Sequence, residues 1–291
     1  MTEKKVTRRG FLKFLGYGLI DLALLSMGGV IFDVLAGRGS FSVETIQLKL
    51  KRLPKVFSGL RVAQISDIHM GGWMNPARLQ QAVDLIISQK PDLLLITGDF
   101  LLGHHFSEAA KQALVDLAKV LTPLAELVPS FAVLGNHDYW TSSDAIRKML
   151  ASCRITDLTN SVFTLTREGK NLCLCGVDDV WRGRVHLNEV IAQLADDSAA
   201  ILLAHEPDYA DTSAATGKFD LQISGHTHGG QVVLPFFGPP ILPYLGQKYP
   251  SGLYKIKDMF QYTNRGVGMN TVAIRFNCPP EITIFELKSI G

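Results

Sequence analysis

Five short apolar runs in this chain each end in polar residues that can bind metal ions. The runs VAQIS, LLLIT, FAVL, ILLA and LQIS are followed in turn by DIH, GD, GNHD, H and GHTH. In a parallel sheet the carboxyl ends of the strands share one edge, and ligand sites lie there. A lone Gly-Asp or a lone histidine is common in turns. Five such endings instead predict one site assembled from residues far apart in sequence.

Amphipathic helices are predicted between the apolar runs, which makes the chain an α/β protein. The segment NPARLQQAVDLIISQ offers Asn75 as a cap and Pro76 at the first helical position. Further helices are predicted for SEAAKQALVDLAKVL, SSDAIRKMLAS and HLNEVIAQLAD. A hairpin is predicted to turn at Glu168-Gly169-Lys170, and the tail segments GLYKI, MFQYTN and EITIFELK predict antiparallel strands. The pattern favours two packed sheets flanked by helices.

Composition excludes several classes of protein. The formal net charge is only +2, and no basic stripe with interleaved aromatic residues is present, so nucleic acid is not an expected partner. The four cysteines form no C-x-x-C pair and are interpreted as buried thiols. With 47% hydrophobic residues, the chain can bury a large core.

The first 42 residues differ from the rest. Twin arginines in TRRGFLK precede a long apolar stretch whose only charges between Lys13 and Arg38 are Asp21 and Asp33. The stretch is long enough for a membrane span, and TRRGFLK resembles a twin-arginine export signal. A buried or amphipathic helix of the globular domain is the alternative. We therefore expect a signal or membrane anchor with a linker over residues 1–42 and a catalytic domain over 43–291.

The strand endings together resemble the signature of calcineurin-like metallophosphoesterases, DxH…GD…GNHD…H…GHxH. The resemblance covers about residues 55–290, and the late segments HGGQVVLP, RGVG and IRFNCPPEI resemble a bacterial branch with N-terminal membrane or twin-arginine segments. It implies a four-layer α/β sandwich that holds two divalent metal ions.

The resemblance also implies a ligand set. The first ion is expected on Asp67, His69 and His228, the second on Asn136, His205 and His226, and Asp99 is expected to bridge them. Imidazole, carboxylate and amide donors without a thiolate favour Mn, Fe or Zn.

Catalysis in such a site would proceed by in-line attack of a hydroxide shared by the two ions. By resemblance, His137 faces the phosphate and can donate a proton to the leaving oxygen, with Asp138 orienting His137. Packing within the loop is the alternative for His137. Three arginines, Arg182, Arg184 and Arg265, are candidates for holding a substrate phosphate, although an exposed arginine is usually only solvated.

The sequence thus predicts a metal-dependent phosphodiesterase or phosphomonoesterase at the membrane or cell envelope. Its partners would be a phosphoester substrate, lipid-linked in one expectation, the membrane, and the export machinery. Export would place the catalytic domain outside the cytoplasm. One alternative is a UDP-2,3-diacylglucosamine pyrophosphatase of lipid A synthesis, which would need the cytoplasmic face of the inner membrane. The other is a catalytically silent metal-binding scaffold.

Overall fold

Two six-stranded mixed sheets form the centre of the part of the chain described by the computed structural model, residues 40–195 and 198–290. The first sheet contains, in spatial order, β1 (Ser42–Leu50), β12 (Glu281–Ser289), β2 (Arg61–Ile65), β3 (Leu93–Ile96), β4 (Ser130–Ala132) and β5 (Thr156–Asp157). The second contains β10 (Gly252–Ile256), β11 (Met259–Thr263), β9 (Leu221–Ser224), β8 (Ala199–Leu203), β7 (Lys170–Gly176) and β6 (Ser161–Arg167).

Helices cover the outer faces of both sheets and complete four layers. They are α1 (Pro76–Ser88), α2 (Glu108–Leu127), α3 (Asn136–Thr141), α4 (Ser143–Ser152), α5 (Leu187–Ala192) and α6 (Ala210–Ala215), with short 3₁₀ turns at Lys55–Phe57, Pro207–Tyr209 and His228–Gly230. Helices α1, α2 and α4 bury their apolar faces against the first sheet, and α5 and α6 bury theirs against the second. The predicted α/β sandwich of two packed sheets with flanking helices is confirmed.

The sequence of strand β3 is entirely apolar because both of its faces are buried. Successive side chains of a strand point to opposite faces. Leu93 and Leu95 lie in the core between the two sheets, whereas Leu94 and Ile96 lie in the core under the helices. A strand covered on both faces therefore reads as a continuous apolar run.

The helix signals were accurate at the start of α1 and incomplete at the end of α2. The Asn75 side chain accepts a hydrogen bond from the Arg78 backbone N–H at 3.0 Å, as a cap should. Helix α2 runs to Leu127 and passes through Pro123, beyond the predicted segment. Leu121 and Leu124 continue the buried stripe, and this packing offsets the hydrogen bond that proline removes.

The prediction of antiparallel tail strands is only partly correct. Strands β10 and β11 pair antiparallel, but β11 runs parallel to β9. Strand β12 joins the other sheet, parallel to β1 and antiparallel to β2. It is central there because Ile282 and Ile284 pack under the helices while Phe285 and Leu287 pack between the sheets. Alternation identified the strands but could not identify their partners.

The hairpin between β6 and β7 agrees with the sequence. Glu168 and Gly169 connect the two strands, both with positive φ, as a tight two-residue hairpin turn requires.

The N-terminal signal or anchor was predicted for residues that lie almost entirely outside the described part. Within residues 40–195 and 198–290, no helix is long and apolar enough to cross a membrane.

The carboxyl ends of the two sheets meet at one edge. The Gln64 side chain in β2 donates to the Ser224 carbonyl at the end of β9 across 2.9 Å. His205, directly after β8, has its Nδ1 atom 2.6 Å from the Thr97 carbonyl after β3. Residues that follow β2, β3, β4, β8 and β9 are therefore brought to the same place.

Candidate metal centre

Five of the predicted ligands have a left-handed backbone conformation. The φ angles are 52° for Asp67, 49° for His69, 58° for Asp99, 70° for His226 and 52° for His228. Each such residue costs on the order of 1 kcal/mol or more, and this kind of strain concentrates at functional sites. The strand ends turn sharply here, and this aims the side chains into the gap between the sheets.

Asp67, His69 and His228 form one buried group at this edge. The Nε2 atoms of His69 and His228 are 3.1 Å apart, and His228 Nε2 is 3.4 Å from an Asp67 carboxylate oxygen. The ligand atoms of these three residues all lie within 4.8 Å of one another. Two imidazoles and a carboxylate that converge in this way can hold a cation.

Asp99 lies between this group and His205. One carboxylate oxygen is 3.6 Å from His69 Nε2 and 3.3 Å from His205 Nε2. The other oxygen accepts a hydrogen bond from the His137 backbone N–H at 2.9 Å. Asp99 is the one described carboxylate that approaches both His69 and His205 this closely, which is the position a bridging ligand needs.

Backbone carbonyls fix the orientation of three of the histidine rings. His69 Nδ1 is 3.3 Å from the Leu101 carbonyl, His205 Nδ1 is 2.6 Å from that of Thr97, and His226 Nε2 is 2.8 Å from that of Tyr244. In each ring the nitrogen at the carbonyl is the donor, so the opposite nitrogen is the one that can face a cation. Metal-binding histidines are oriented in this way.

Two buried polar atoms of the site have no hydrogen-bond partner. They are Oδ1 of Asn136 and Nε2 of His205. A buried acceptor without a partner is costly, and nearly all such atoms in proteins are paired. A bound cation would satisfy both atoms, so the donor set fits the divalent ions expected from the sequence.

Burial and mutual charge set the protonation of the group. Burial lowers the pKa of His69 and of His226 to about 3, which keeps both imidazoles neutral. Burial alone would lower the pKa of His205, but Asp99 and Asp67 raise it well above its usual value. Burial likewise opposes the charge of Asp99, yet His205 and His137 hold the Asp99 pKa well below its usual range. A proton on His205 thus balances a buried carboxylate, and a bound cation can take over that role.

An open cleft of about 310 Å³ leads to this group. Its lining comprises Asp99, His104, Asn136, His137, Trp140, Trp181, His226, His228, Pro243, Asn270 and Thr271. Metal-binding side chains lie at its floor and aromatic rings at its wall, with Trp140 and Trp181 in edge contact at 5.1 Å between ring centroids. The cleft is large enough for a phosphoester group next to the ions.

Comparison with known proteins identifies the family of this chain. The model of the calcineurin-like phosphoesterases matches residues 60–230, which contain all five strand endings. The chain belongs to this family. It is therefore a metal-dependent phosphoester hydrolase.

Three curated relatives of this phosphoesterase cover most of its chain. A metallophosphoesterase named YkuE from Bacillus subtilis (strain 168) is 33% identical over 98% of this chain and 99% of its own. The phosphodiesterase YaeI of Escherichia coli (strain K12) is 33% identical over 78% of this chain and 82% of its own. A transmembrane protein with metallophosphoesterase domain from Danio rerio is 29% identical over 84% of this chain and 57% of its own.

The expectation that Asp138 orients the His137 ring is wrong. Both oxygens of the Asp138 carboxylate accept backbone hydrogen bonds, from Asp99 at 2.9 Å, Gly135 at 3.0 Å and Phe100 at 2.8 Å. The His137 ring instead has Nδ1 at 3.1 Å from the Gly103 carbonyl. Asp138 therefore holds the loop that carries Asp99, and it acts on the position of Asp99 rather than on His137.

The three candidate arginines of this phosphoesterase lie in different surroundings. Arg182 is exposed and lies beside two rings that line the cleft, with its guanidinium carbon 5.4 Å from the Trp140 ring centroid and 5.3 Å from that of Trp181. Arg184 is exposed and does not line the cleft. Arg265 forms ion pairs with Glu44 at 2.7 Å and with Glu281 at 2.6 Å. Two carboxylates thus engage the Arg265 guanidinium. Arg265 is therefore not free to hold a substrate phosphate, contrary to the expectation from the sequence.

Sequence reasoning missed Arg275, which is fully buried behind His228. Its guanidinium donates to the carbonyls of Arg265 at 2.7 Å, Gly268 at 2.7 Å and Cys278 at 3.1 Å. All three carbonyls belong to the connection between β11 and β12, residues 264–280, so one guanidinium holds together the loop against which His228 packs. A single arginine in the otherwise apolar stretch VAIRF was the signal that could have identified it.

We expect an Arg275→Met substitution to lower the free energy of unfolding by about 3–5 kcal/mol, because several buried carbonyls lose their donor. Urea unfolding of the full chain measures this change. Arg154→Met is the control, since the Arg154 side chain is 77% exposed and should be nearly neutral. Equal midpoints for the two variants would show that Arg275 does not hold this loop together.

Proposed function

We propose that this phosphoesterase uses two divalent ions to hydrolyse a phosphodiester or phosphomonoester at the membrane or cell envelope. The observation that carries the proposal is the position of Asp99, whose carboxylate approaches His69 at 3.6 Å and His205 at 3.3 Å. Such a buried carboxylate between two sets of nitrogen and oxygen donors suits a two-ion site better than a single ion.

In this proposal each ion has three ligands of its own and shares Asp99. The first ion takes Asp67, His69 and His228, and the second takes Asn136, His205 and His226. When bound, the ions would supply an activated water nucleophile and neutralise charge on the phosphate oxygens. Nitrogen and oxygen donors favour Mn, Fe or Zn among the divalent metals.

His137 is the residue proposed to protonate the leaving oxygen. It lines the cleft, and its ring centroid is 4.7 Å from that of His69. Because Nδ1 faces the Gly103 carbonyl at 3.1 Å, Nε2 is left for a group in the cleft. The helix start at Asn136 fixes the backbone of His137 against Asp99, so the ring is held at a constant distance from the metal-binding group.

We expect a His137→Gln substitution to lower kcat by about 10²-fold for an alkyl leaving group and by much less for p-nitrophenolate. An alkoxide needs a proton as it departs, whereas p-nitrophenolate is stable without one. Steady-state kinetics with matched alkyl and p-nitrophenyl esters measure the difference. His105→Gln is the control because His105 is exposed and outside the cleft lining. Equal losses on both esters would exclude proton donation by His137.

Location at the membrane or envelope rests on the sequence and on one relative. Residues 1–42 carry the twin arginines and the apolar stretch. A relative with 29% identity is named a transmembrane protein with metallophosphoesterase domain. These observations favour a phosphoester that is itself membrane-associated.

Hydrolysis by the purified full chain tests the proposal. Bis-p-nitrophenyl phosphate, p-nitrophenyl phosphate and UDP-2,3-diacylglucosamine are compared with added Mn²⁺ and with chelator. Metal-dependent turnover of the first or second supports a diesterase or a monoesterase, respectively. Turnover of the third alone would replace the proposal with the pyrophosphatase of lipid A synthesis. No turnover of any of the three by a chain that binds the metal would favour the silent scaffold.

A further inference from the structure

Two loops beside the cleft expose a concentrated apolar surface. We call residues 234–244 and 271–274 together the apolar rim. Phe236 is fully exposed, and Phe237, Ile241 and Val272 are 87%, 79% and 62% exposed. A phenylalanine side chain carries roughly 150–250 Å², so the rim reaches the size at which exposed apolar patches mark an interaction site.

The tip of the rim is rigid rather than loose. The Leu234 carbonyl accepts from the N–H groups of Phe237 at 3.2 Å and Gly238 at 2.9 Å, and this closes a tight turn. Phe236 holds a left-handed φ of 68° in this turn, and Pro235 and Pro239 flank it. The turn therefore fixes the backbone from which the two phenylalanine side chains project into solvent.

The rim contacts the loop that carries His226 and His228, residues 225–230, at two points; we call this loop the metal-binding loop. His226 Nε2 lies 2.8 Å from the Tyr244 carbonyl. A Cβ atom on Gly230, two residues after His228, would lie 2.4 Å from Cβ of Pro239, so the rim packs directly on this backbone. Pro243 and Thr271 belong to the rim and also line the cleft, so the rim borders the cleft.

The rim contains no charge. No Asp, Glu, Lys or Arg occurs in residues 231–246 or 266–274. An interface with a soluble protein usually has a polar or charged border. Uncharged aromatic and aliphatic side chains with prolines are instead what the boundary between lipid headgroups and acyl chains accepts.

The start of β1 lies at the same end of the molecule. The Ser42 N–H donates to the Pro280 carbonyl at 2.7 Å, and Glu44 pairs with Arg265 at 2.7 Å. A Cβ atom on Gly229 would lie 3.0 Å from the Arg265 side chain, so this corner adjoins the metal-binding loop. Residues 1–39, which include the apolar stretch, thus join the described chain on the side of the cleft.

From these observations we propose that the apolar rim docks into the surface of a lipid bilayer, with the cleft facing the membrane. Docking does not depend on the chemistry of the cleft. That the substrate phosphate lies in the headgroup layer follows only if the proposed hydrolase function is correct.

Site-specific fluorescence on the full chain tests the docking. The four native cysteines are buried, so a single added cysteine can be labelled selectively with an environment-sensitive dye. Phe237→Cys places the dye on the rim. Leu127→Cys is the matched control, because Leu127 is 67% exposed at the end of α2, near the opposite end of the sheet. Both variants are reconstituted with phosphatidylcholine–phosphatidylglycerol vesicles, and thermal unfolding verifies their fold.

We expect a quencher in the acyl chains to reduce emission of the Phe237 label several-fold more than that of the Leu127 label. Iodide in the water should show the reverse order. Equal exposure of both labels to iodide would overturn the proposal. A Phe237 label protected from both quenchers would also overturn it and would assign the rim to a protein partner or a second copy. Hydrolysis of soluble bis-p-nitrophenyl phosphate is a separate readout, so the two proposals can fail independently.

Discussion

An Asp99→Asn substitution is expected to lower kcat/KM for phosphoester hydrolysis by at least about 10³-fold. Asp99 is the carboxylate that approaches both His69 and His205, and its other oxygen accepts the His137 N–H. An amide can offer only one oxygen, and its NH₂ group would point at a cation. The variant would therefore lose the bridge while keeping the volume of the side chain.

Asp84→Asn is the matched control for this substitution. Asp84 is exposed on α1, where its carboxylate accepts a hydrogen bond from Gln80 at 2.8 Å. We expect its kcat/KM to stay within about twofold of wild type, since surface substitutions away from a site change little. Hydrolysis by folded Asp99→Asn protein at the wild-type rate would show that the bridge is not needed for catalysis.

A Gly135→Ala substitution is expected to reduce activity about as strongly, although it removes no functional group. A Cβ atom at Gly135 would lie 2.4 Å from an Asp99 carboxylate oxygen and 2.7 Å from His205 Nε2. Both side chains must move to relieve the overlap, and a displacement of about 1 Å in a catalytic group can cost 10²-fold. Because two ligands move together, we expect a loss of at least about 10³-fold in kcat/KM.

Gly169→Ala separates this close approach from a general effect of removing a glycine. Gly169 lies at the β6–β7 hairpin with φ of 69°, and a Cβ there would meet nothing within 4 Å. The control is expected to lose about 1 kcal/mol of stability from backbone strain and no activity. If Gly135→Ala retains the activity of the control, the site must tolerate the displacement, and the geometric argument is wrong.

The strand endings were the most informative part of the sequence. Asp67, Asp99 and His205 were assigned to one site because parallel strands end at one edge, and the structure brings them together. The left-handed backbone at Asp67 and His226 was not visible in the sequence, since Asp and His are enriched in this conformation but most of them do not adopt it. Glycines next to ligands, such as Gly135 and Gly225, hinted at close approach without showing what would be approached.

Errors arose where a side chain interacts with residues that are distant in sequence. Asp138 was assigned to its sequence neighbour His137, but it accepts N–H groups of Asp99 and Phe100 from another loop. Arg265 looked free in sequence and pairs with Glu44, which is distant in the chain. Such contacts depend on tertiary packing, and local patterns cannot supply them. The same holds for β12, whose alternation fits a strand in either sheet.

The apolar rim shows how one structural unit can join recognition to chemistry. The turn that presents Phe236 and Phe237 packs through Pro239 on the loop of His228. A rigid rim of this kind would set the depth of the cleft relative to a bilayer. A membrane-associated phosphoester could then reach the metal-binding residues without leaving the headgroup layer.

The most direct test of the account is the number of divalent ions bound by the purified full chain. Titration with Mn²⁺ is followed by elemental analysis after removal of free metal, for wild type and for Asp99→Asn side by side. The account predicts two ions per wild-type chain at saturation and a loss of at least one in the variant. A saturated, active wild-type chain that holds a single ion, or a variant that still holds two, would contradict a site bridged by Asp99.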